Sequence, residues 1–274
     1  MSSSAEQDPD LQTVERIYDA LESGDPESAL AIARKALATD SIDSVVRFLA
    51  GLACLDLDRV PEAVRELRQA VSLDPDDAEF RSQLAYALYR DCCFDEARAE
   101  ASRTLELDAT IPDAHYTTGL VAERAGEFDE ADLCFARANE IDGKTFPRPL
   151  RLSGEAFEKA LDEARGLLNE TFRKHLDGIT VTVEALPDEA VLREANPPMD
   201  PELLGLFVGV PLADRSNFSP GGELPPRILV FKRNLERTFP DPKDLREEIG
   251  RTLHHELGHY LGLDEDELEA IDLG

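Results

Sequence analysis

The sequence predicts a chain of two domains of different class, an all-α array of helical repeats followed by a small α+β domain. Three observations predict this order. Related phrases return at an interval of 34 residues through the first half of the chain. The stretch 141–154, which holds two prolines and two glycines, then breaks the interval. Short apolar runs bounded by Pro, Gly and Asp appear only after this break. We therefore predict domains at 1–145 and 154–274, joined by a linker at 146–153.

Small side chains recur at fixed places in the first half and predict closely packed helix pairs. One set is Ala29, Ala63, Ala97 and Ala131, and a second set in the preceding helices is Gly51, Ala85 and Gly119. The interval gives four helix–turn–helix units, at 10–43, 44–77, 78–111 and 112–145. Ile17 stands where the first unit should have a small residue, so this unit is predicted to act as the cap of the array.

The second half mixes one amphipathic helix with candidate strands. The phrase SGEAFEKALDEARGLL places Phe157, Leu161 and Ala164 on one helical face. Three apolar runs follow, at 179–186, 203–210 and 227–234, and their partial alternation favours strands. An α+β domain of this order is the predicted architecture.

The composition limits the classes of partner and the compartment. Asp and Glu number 58 against 29 Lys and Arg, and the formal net charge is −29, so the surface repels nucleic acids and anionic membranes. The N-terminus resembles no signal peptide, and no apolar run reaches the length of a membrane span. The four cysteines form no C-x-x-C pair, which is typical of buried thiols in a reducing compartment. We expect a cytoplasmic protein that binds neither nucleic acid nor membrane.

His255, Glu256 and His259 spell H-E-x-x-H and are the candidate functional residues. Residues four apart lie on one face of an α-helix, so the two imidazoles can bind one metal ion. Glu256 lies beside them, where it can take a proton from a water on that metal. Asp241 is the predicted N-cap of this helix, and Gly262 is the predicted stop.

A catalytic zinc usually has three protein ligands and one open position, so a third ligand is expected soon after Gly262. Glu265 lies ten residues after His255, which is the spacing of the third ligand in H-E-x-x-H-x-x-G-x-x-[HD] helices. Asp264 is one residue short of that spacing but can also reach the site. We favour Glu265 and keep Asp264 as the alternative third ligand of a Zn²⁺ ion.

Two family resemblances rest on these motifs. The 34-residue unit resembles the tetratricopeptide repeat (TPR), which implies a groove that binds a protein partner. Residues 170–274, with the phrase DLREEIGRTLHHELGHYLGLDEDEL, look like the minimal bacterial zincin-like metallopeptidases. That resemblance implies zinc ligands His255, His259 and Glu265, with Glu256 as the base. In zincins a peptide lies along an edge strand, for which 227–234 is the candidate.

Two hypotheses of function follow. The first is a zinc metallopeptidase that cleaves a peptide or protein substrate delivered by the repeats. The alternative is a non-catalytic TPR adaptor with a structural or inactive zinc site. Structural zinc sites are usually closed and rich in cysteine, which favours the enzyme.

Overall fold

The computed structural model describes residues 9–39, 43–212, 225–264 and 267–268. The chain divides into two compact units. The first unit comprises residues 1–146 together with 193–200, and the second comprises 147–192 and 201–274. The stretch 193–200 therefore belongs by its contacts to the unit that the first half of the chain forms.

The described residues of the first unit are built from helices joined by short turns, and each helix packs against the next helix in the chain. The second helices of the four pairs begin at Pro26, Val60, Phe94 and Phe128, which reproduces the predicted interval. The helices are α1 (Pro9–Glu22), α2 (Pro26–Leu37), α3 (Ser44–Asp56), α4 (Val60–Leu73), α5 (Ala78–Arg90), α6 (Phe94–Leu107), α7 (Pro112–Arg124) and α8 (Phe128–Ile141).

The recurring small residues lie where paired helices approach each other. A Cβ atom added to Gly51 would lie 2.5 Å from Leu67 Cγ, and one added to Gly119 would lie 2.7 Å from Phe135 Cε1. Ala63 and Ala131 are fully buried. The predicted role of the small residues is therefore confirmed, since larger side chains would hold the helices apart.

The second unit combines helices with a small sheet, which confirms the predicted α+β class. Its described elements are α9 (Gly154–Leu167), α10 (Glu170–Leu176), β1 (Thr180–Glu184), α11 (Glu189–Leu192), β2 (Gly205–Val208), β3 (Arg227–Phe231), α12 (Lys232–Thr238) and α13 (Pro242–Leu261). The strand order is β1-β3-β2, with β1 parallel and β2 antiparallel to β3. In the described residues β3 is thus the central strand.

The prediction that 227–234 forms the edge strand is wrong. The strand ends at Phe231, and Lys232 begins α12. Ile228, Val230 and Phe231 are buried because β3 has a strand on each side and helices packed against it. Chain order alone does not reveal which strand is central, since pairing between distant segments decides it. Within the described residues, β2 is the strand at the edge beside α13.

The core of the second unit forms along one face of α13. Leu245, Ile249, Leu253 and Leu257 are completely buried, as their helical spacing predicts. They pack in one apolar cluster with residues of α9, including Phe157 and Leu161, and with residues of β3. This burial fixes the rotation of α13, so the opposite face presents a constant set of side chains.

Candidate metal centre

The helix α13 has the ends that its sequence predicts. The Asp241 carboxylate accepts hydrogen bonds from the amides of Lys243 (2.7 Å) and Asp244 (3.3 Å), and Pro242 occupies the first turn. At the other end Gly262 has a φ of 92°, a left-handed conformation that costs glycine least. Its amide and that of Leu263 cap the last carbonyls of the helix.

The imidazole rings of His255 and His259 converge on the face of α13 opposite the core. Their Nε2 atoms are 3.1 Å apart, and the ring planes are nearly perpendicular at 88°. Two nitrogen ligands at about 2.0–2.1 Å from a tetrahedral zinc ion are separated by about 3.3 Å. The pair therefore fits two neighbouring positions of one zinc coordination sphere.

Glu256 lies in a cleft beside the histidines, and its side chain contacts the strand β2. The residue is 7% exposed, and Oε2 accepts a hydrogen bond of 2.6 Å from the backbone amide of Phe207. The cleft has a volume of about 340 Å³. Its walls include Leu203, Leu204, Gly205, Thr252, His255 and Glu256. A carboxylate and an imidazole thus share one accessible space.

Glu265, the preferred third ligand, lies outside the described residues. Asp264 is described: its Oδ1 accepts from the Glu267 amide (2.9 Å), and its own amide donates to Glu267 Oε2 (3.1 Å). Among the described residues, no three His, Cys, Asp or Glu side chains form a group that could hold a metal ion. Leu268 lies against Gly258, so the chain after Gly262 does turn back onto α13.

Two more aromatic residues of α13, and a histidine of α7, have identifiable surroundings. The ring of His254 lies 4.2 Å from that of Phe172, which places it against α10. Tyr260 is 7% exposed and makes an edge contact of 5.8 Å with Phe207. His115 Nε2 lies 3.0 Å from the carbonyl oxygen of Ala109, in the turn before α7, which is a structural contact within the repeats.

Sequence reasoning missed the contribution of β2 to the site. Gly205 comes so close to α13 that an added Cβ would lie 2.5 Å from Thr252 Cγ2. Asn234 of α12 fixes the segment before β2, since its Nδ2 donates to the carbonyls of Pro201 (2.9 Å) and Leu203 (2.8 Å). The signal in the sequence was a glycine inside an apolar run, which indicates a close backbone approach.

Two parts of the chain match known family models. Residues 176–274 match the family model of the zincin-like metallopeptidases, and residues 20–85 match that of the tetratricopeptide repeat. Both resemblances read from the sequence are confirmed. A search of curated proteins gave no match.

Similar solved structures include TPR proteins. A crystal structure of MamA is 25% identical over 46% of this chain and 73% of that chain, with a TM-score of 0.42. A thermophilic TPR protein of Thermus thermophilus is 19% identical over 48% of this chain and 74% of that chain, with a TM-score of 0.44. Separately, no helix in the described ranges is long and apolar enough to cross a membrane.

Proposed function

We propose that the second unit is a zinc-dependent peptidase and that the repeats of the first unit recruit its substrate or a partner protein. The observation that supports this proposal is the 3.1 Å approach of the His255 and His259 Nε2 atoms, next to a cleft that Glu256 lines. The match to the zincin-like metallopeptidases supports hydrolysis of peptides, and the match to the tetratricopeptide repeat supports binding of proteins.

His255 and His259 would hold the zinc ion, with Glu265 as the third ligand and Asp264 as the alternative. The hydrogen bond between Asp264 Oδ1 and the Glu267 amide favours Glu265, because it occupies one oxygen of the Asp264 carboxylate. When bound, zinc acts as a Lewis acid that polarises the scissile carbonyl and lowers the pKa of water.

The protein's own groups would supply proton transfer and substrate alignment. Glu256 would take the proton of the attacking water and deliver it to the leaving amine. An extended peptide would lie along the outer edge of β2, the strand beside α13, rather than along the central strand β3. The acidic surface favours substrates or partners that carry basic residues.

The test compares Glu256→Gln with wild type and with a matched control, Glu247→Gln. Glu247 lies on the same helix, and its partially exposed side chain forms an ion pair with Lys243. We expect Glu256→Gln to keep about one zinc per chain and to lose at least about 10²-fold in cleavage of a peptide library. The control should keep both properties. Metal content would be measured by mass spectrometry, and peptide products by liquid chromatography with mass spectrometry.

Two results would contradict the proposal. If wild type with one zinc per chain cleaves no peptide in a broad library, the adaptor hypothesis replaces the peptidase. If Glu256→Gln remains active, then Glu256 is not the base. Loss of zinc in His259→Ala would establish the metal site independently of either outcome.

A further inference from the structure

The amide of Phe207 is directed away from the sheet and towards Glu256. The Phe231 amide donates to the Leu204 carbonyl (2.9 Å), so Leu204 and Phe231 form a hydrogen-bonded pair of the antiparallel ladder. Hydrogen-bonded and non-hydrogen-bonded pairs alternate along antiparallel strands. Phe207 is three positions after Leu204, so it belongs to a non-hydrogen-bonded pair, and its N–H lies on the outer edge of β2. There it donates to Glu256 Oε2 at 2.6 Å. A bond to an ionised acceptor of this length is among the stronger hydrogen bonds in proteins.

Gly205 permits this hydrogen bond, because it removes the side chain that would separate β2 from α13. An added Cβ would lie 2.5 Å from Thr252 Cγ2, 3.1 Å from Glu256 Cγ and 3.2 Å from the Leu229 carbonyl oxygen. The shortest of these distances is one that real Cβ atoms do not adopt. Any other residue at this position would therefore require Thr252, Glu256 or the strand itself to shift.

The segment that leads into β2 is held from the other side, so the strand cannot easily give way. Asn234 is fully buried and donates to the carbonyls of Pro201 and Leu203. Arg237 in turn donates to Asn234 Oδ1 at 2.8 Å, which fixes the orientation of the amide group. Buried and mutually bonded polar groups of this kind specify one backbone position.

We infer that β2 is a positioning element for Glu256. Gly205 is the positioning residue that sets the distance between strand and helix, and the Phe207 amide holds the carboxylate in one orientation. A base held in one orientation loses less entropy when it reaches the proton that it must abstract. The role of Glu256 as a base rests on the proposed function, whereas the hydrogen bond and the close approach do not.

The decisive experiment places a methyl group at position 205 and then makes room for it. Gly205→Ala introduces the overlap with Thr252 Cγ2. Adding Thr252→Ser removes that methyl group and keeps the hydroxyl, whereas adding Thr252→Val keeps a methyl group and removes the hydroxyl. Gly166→Ala is the control for the glycine substitution itself, because an added Cβ there meets nothing within 4 Å.

The first readout is hydrogen exchange of the Phe207 amide, measured by NMR. We expect Gly205→Ala, and likewise Glu256→Ala, to speed this exchange at least about tenfold, since a charge-assisted bond is lost. Thr252→Ser should largely restore the slow exchange of Gly205→Ala, and Thr252→Val should not. Equal exchange in wild type, Gly205→Ala and Glu256→Ala would overturn the inference.

The second readout is peptide cleavage at constant zinc content. Gly205→Ala should lower kcat about tenfold or more with little change in KM, and the serine double variant should recover most of that loss. Recovery by the valine double variant, or unchanged kcat in Gly205→Ala, would contradict the inference. If wild type cleaves nothing but the exchange pattern is as expected, the proposed function fails and the positioning role of β2 stands.

Discussion

Asp113, at the start of α7, is a carboxyl group that folding moves partly out of water. Burial is the main cause that raises its pKa, and the charge of Asp142 adds to the effect, while the hydrogen bond from Gln83 (3.4 Å) opposes it. Asp108 lies five residues earlier and has the opposite balance. The hydroxyl of Thr110 donates to its carboxylate at 2.6 Å and the Thr110 amide at 2.8 Å, and these bonds lower its pKa.

The two aspartates predict opposite effects of removing a charge. A carboxyl group with a raised pKa favours folding below its unfolded pKa, and this contribution is lost as the pH rises through the folded pKa. At pH 7 the ionised Asp113 therefore opposes folding. We expect Asp113→Asn to raise the Tm by roughly 1–3 °C at pH 7 and by less at pH 4, where the carboxyl group is partly protonated.

Asp108→Asn is the matched comparison, and it should lower the Tm at pH 7 because it removes a favourable carboxylate. Thermal unfolding would be followed by circular dichroism at both pH values. A lower Tm for Asp113→Asn at pH 7, or an equal gain at pH 4, would show that burial does not control this group.

At the scale of elements, the two helices of a repeat contact each other at one recurring pair of positions. Gly51 faces Leu67 in the second repeat, and Gly119 faces Phe135 in the fourth. The third repeat has Ala85 and Ala101 at the same positions of the 34-residue interval, and both are fully buried. In the second and fourth repeats a glycine in the first helix thus accompanies a large residue in the second helix, whereas the third repeat has an alanine at each position.

This contact predicts that Gly119→Ala destabilises the protein only while Phe135 is present. The added methyl group would lie 2.7 Å from Phe135 Cε1, and a rigid ring cannot move aside as a leucine can. We expect a loss of about 1–3 kcal/mol in the free energy of unfolding. In a Phe135→Ala background the same substitution should instead stabilise by up to about 1 kcal/mol, the usual helix preference of Ala over Gly.

Urea unfolding of the four proteins in this double-mutant cycle gives the coupling energy. A coupling near zero would contradict the contact, because residues that touch should be non-additive by about 0.5 kcal/mol or more.

The elements show why some of the structure follows from the sequence and some does not. The helix pairs and the ends of α13 depend on residues a few positions apart, so the interval and the caps at Asp241 and Gly262 predict them. The central position of β3 depends on pairing between segments far apart in sequence, and no local pattern reveals it. The same distinction applies to the site. The spacing of His255 and His259 predicts that their side chains lie together, whereas the Phe207 amide that binds Glu256 belongs to another element and is not predicted by a local pattern. The third ligand, Glu265, stays a prediction.

At the scale of the whole molecule, the chain contributes to the first unit twice. After Leu192 it leaves the second unit, and residues 193–200 join the repeats before the chain returns at Pro201. Arg193 donates to the Cys92 carbonyl at 2.7 Å. Arg90 bridges Asp58 and Asp200, with both N–O distances at 2.9 Å. The segment 193–200, which we call the strap, is thus attached at both of its ends.

Arg90 should therefore contribute to the stability of the first unit, because it connects a repeat to the strap. Its side chain is 16% exposed, and Arg90→Ala would break the attachment of the strap at Asp200. Because its partners Asp58 and Asp200 are 79% and 39% exposed, we expect a loss of about 1 kcal/mol in the free energy of unfolding for the two ion pairs together. Arg98→Ala is the control: its pair with Glu127 is 42% and 44% exposed, and exposed pairs contribute about 0–1 kcal/mol.

Limited proteolysis separates a loose strap from a general loss of stability. A protease specific for Glu should cut after Glu194 faster in Arg90→Ala than in wild type, at temperatures where both proteins remain folded by circular dichroism. Local release of a segment exposes its backbone without global unfolding, so the cleavage rate reports the population of the released state. If Arg90→Ala and Arg98→Ala are cut at the wild-type rate, the ion pairs of Arg90 do not hold the strap. Faster cutting in Arg90→Ala alone would show that a segment between β1 and β2 depends on a residue of the repeats.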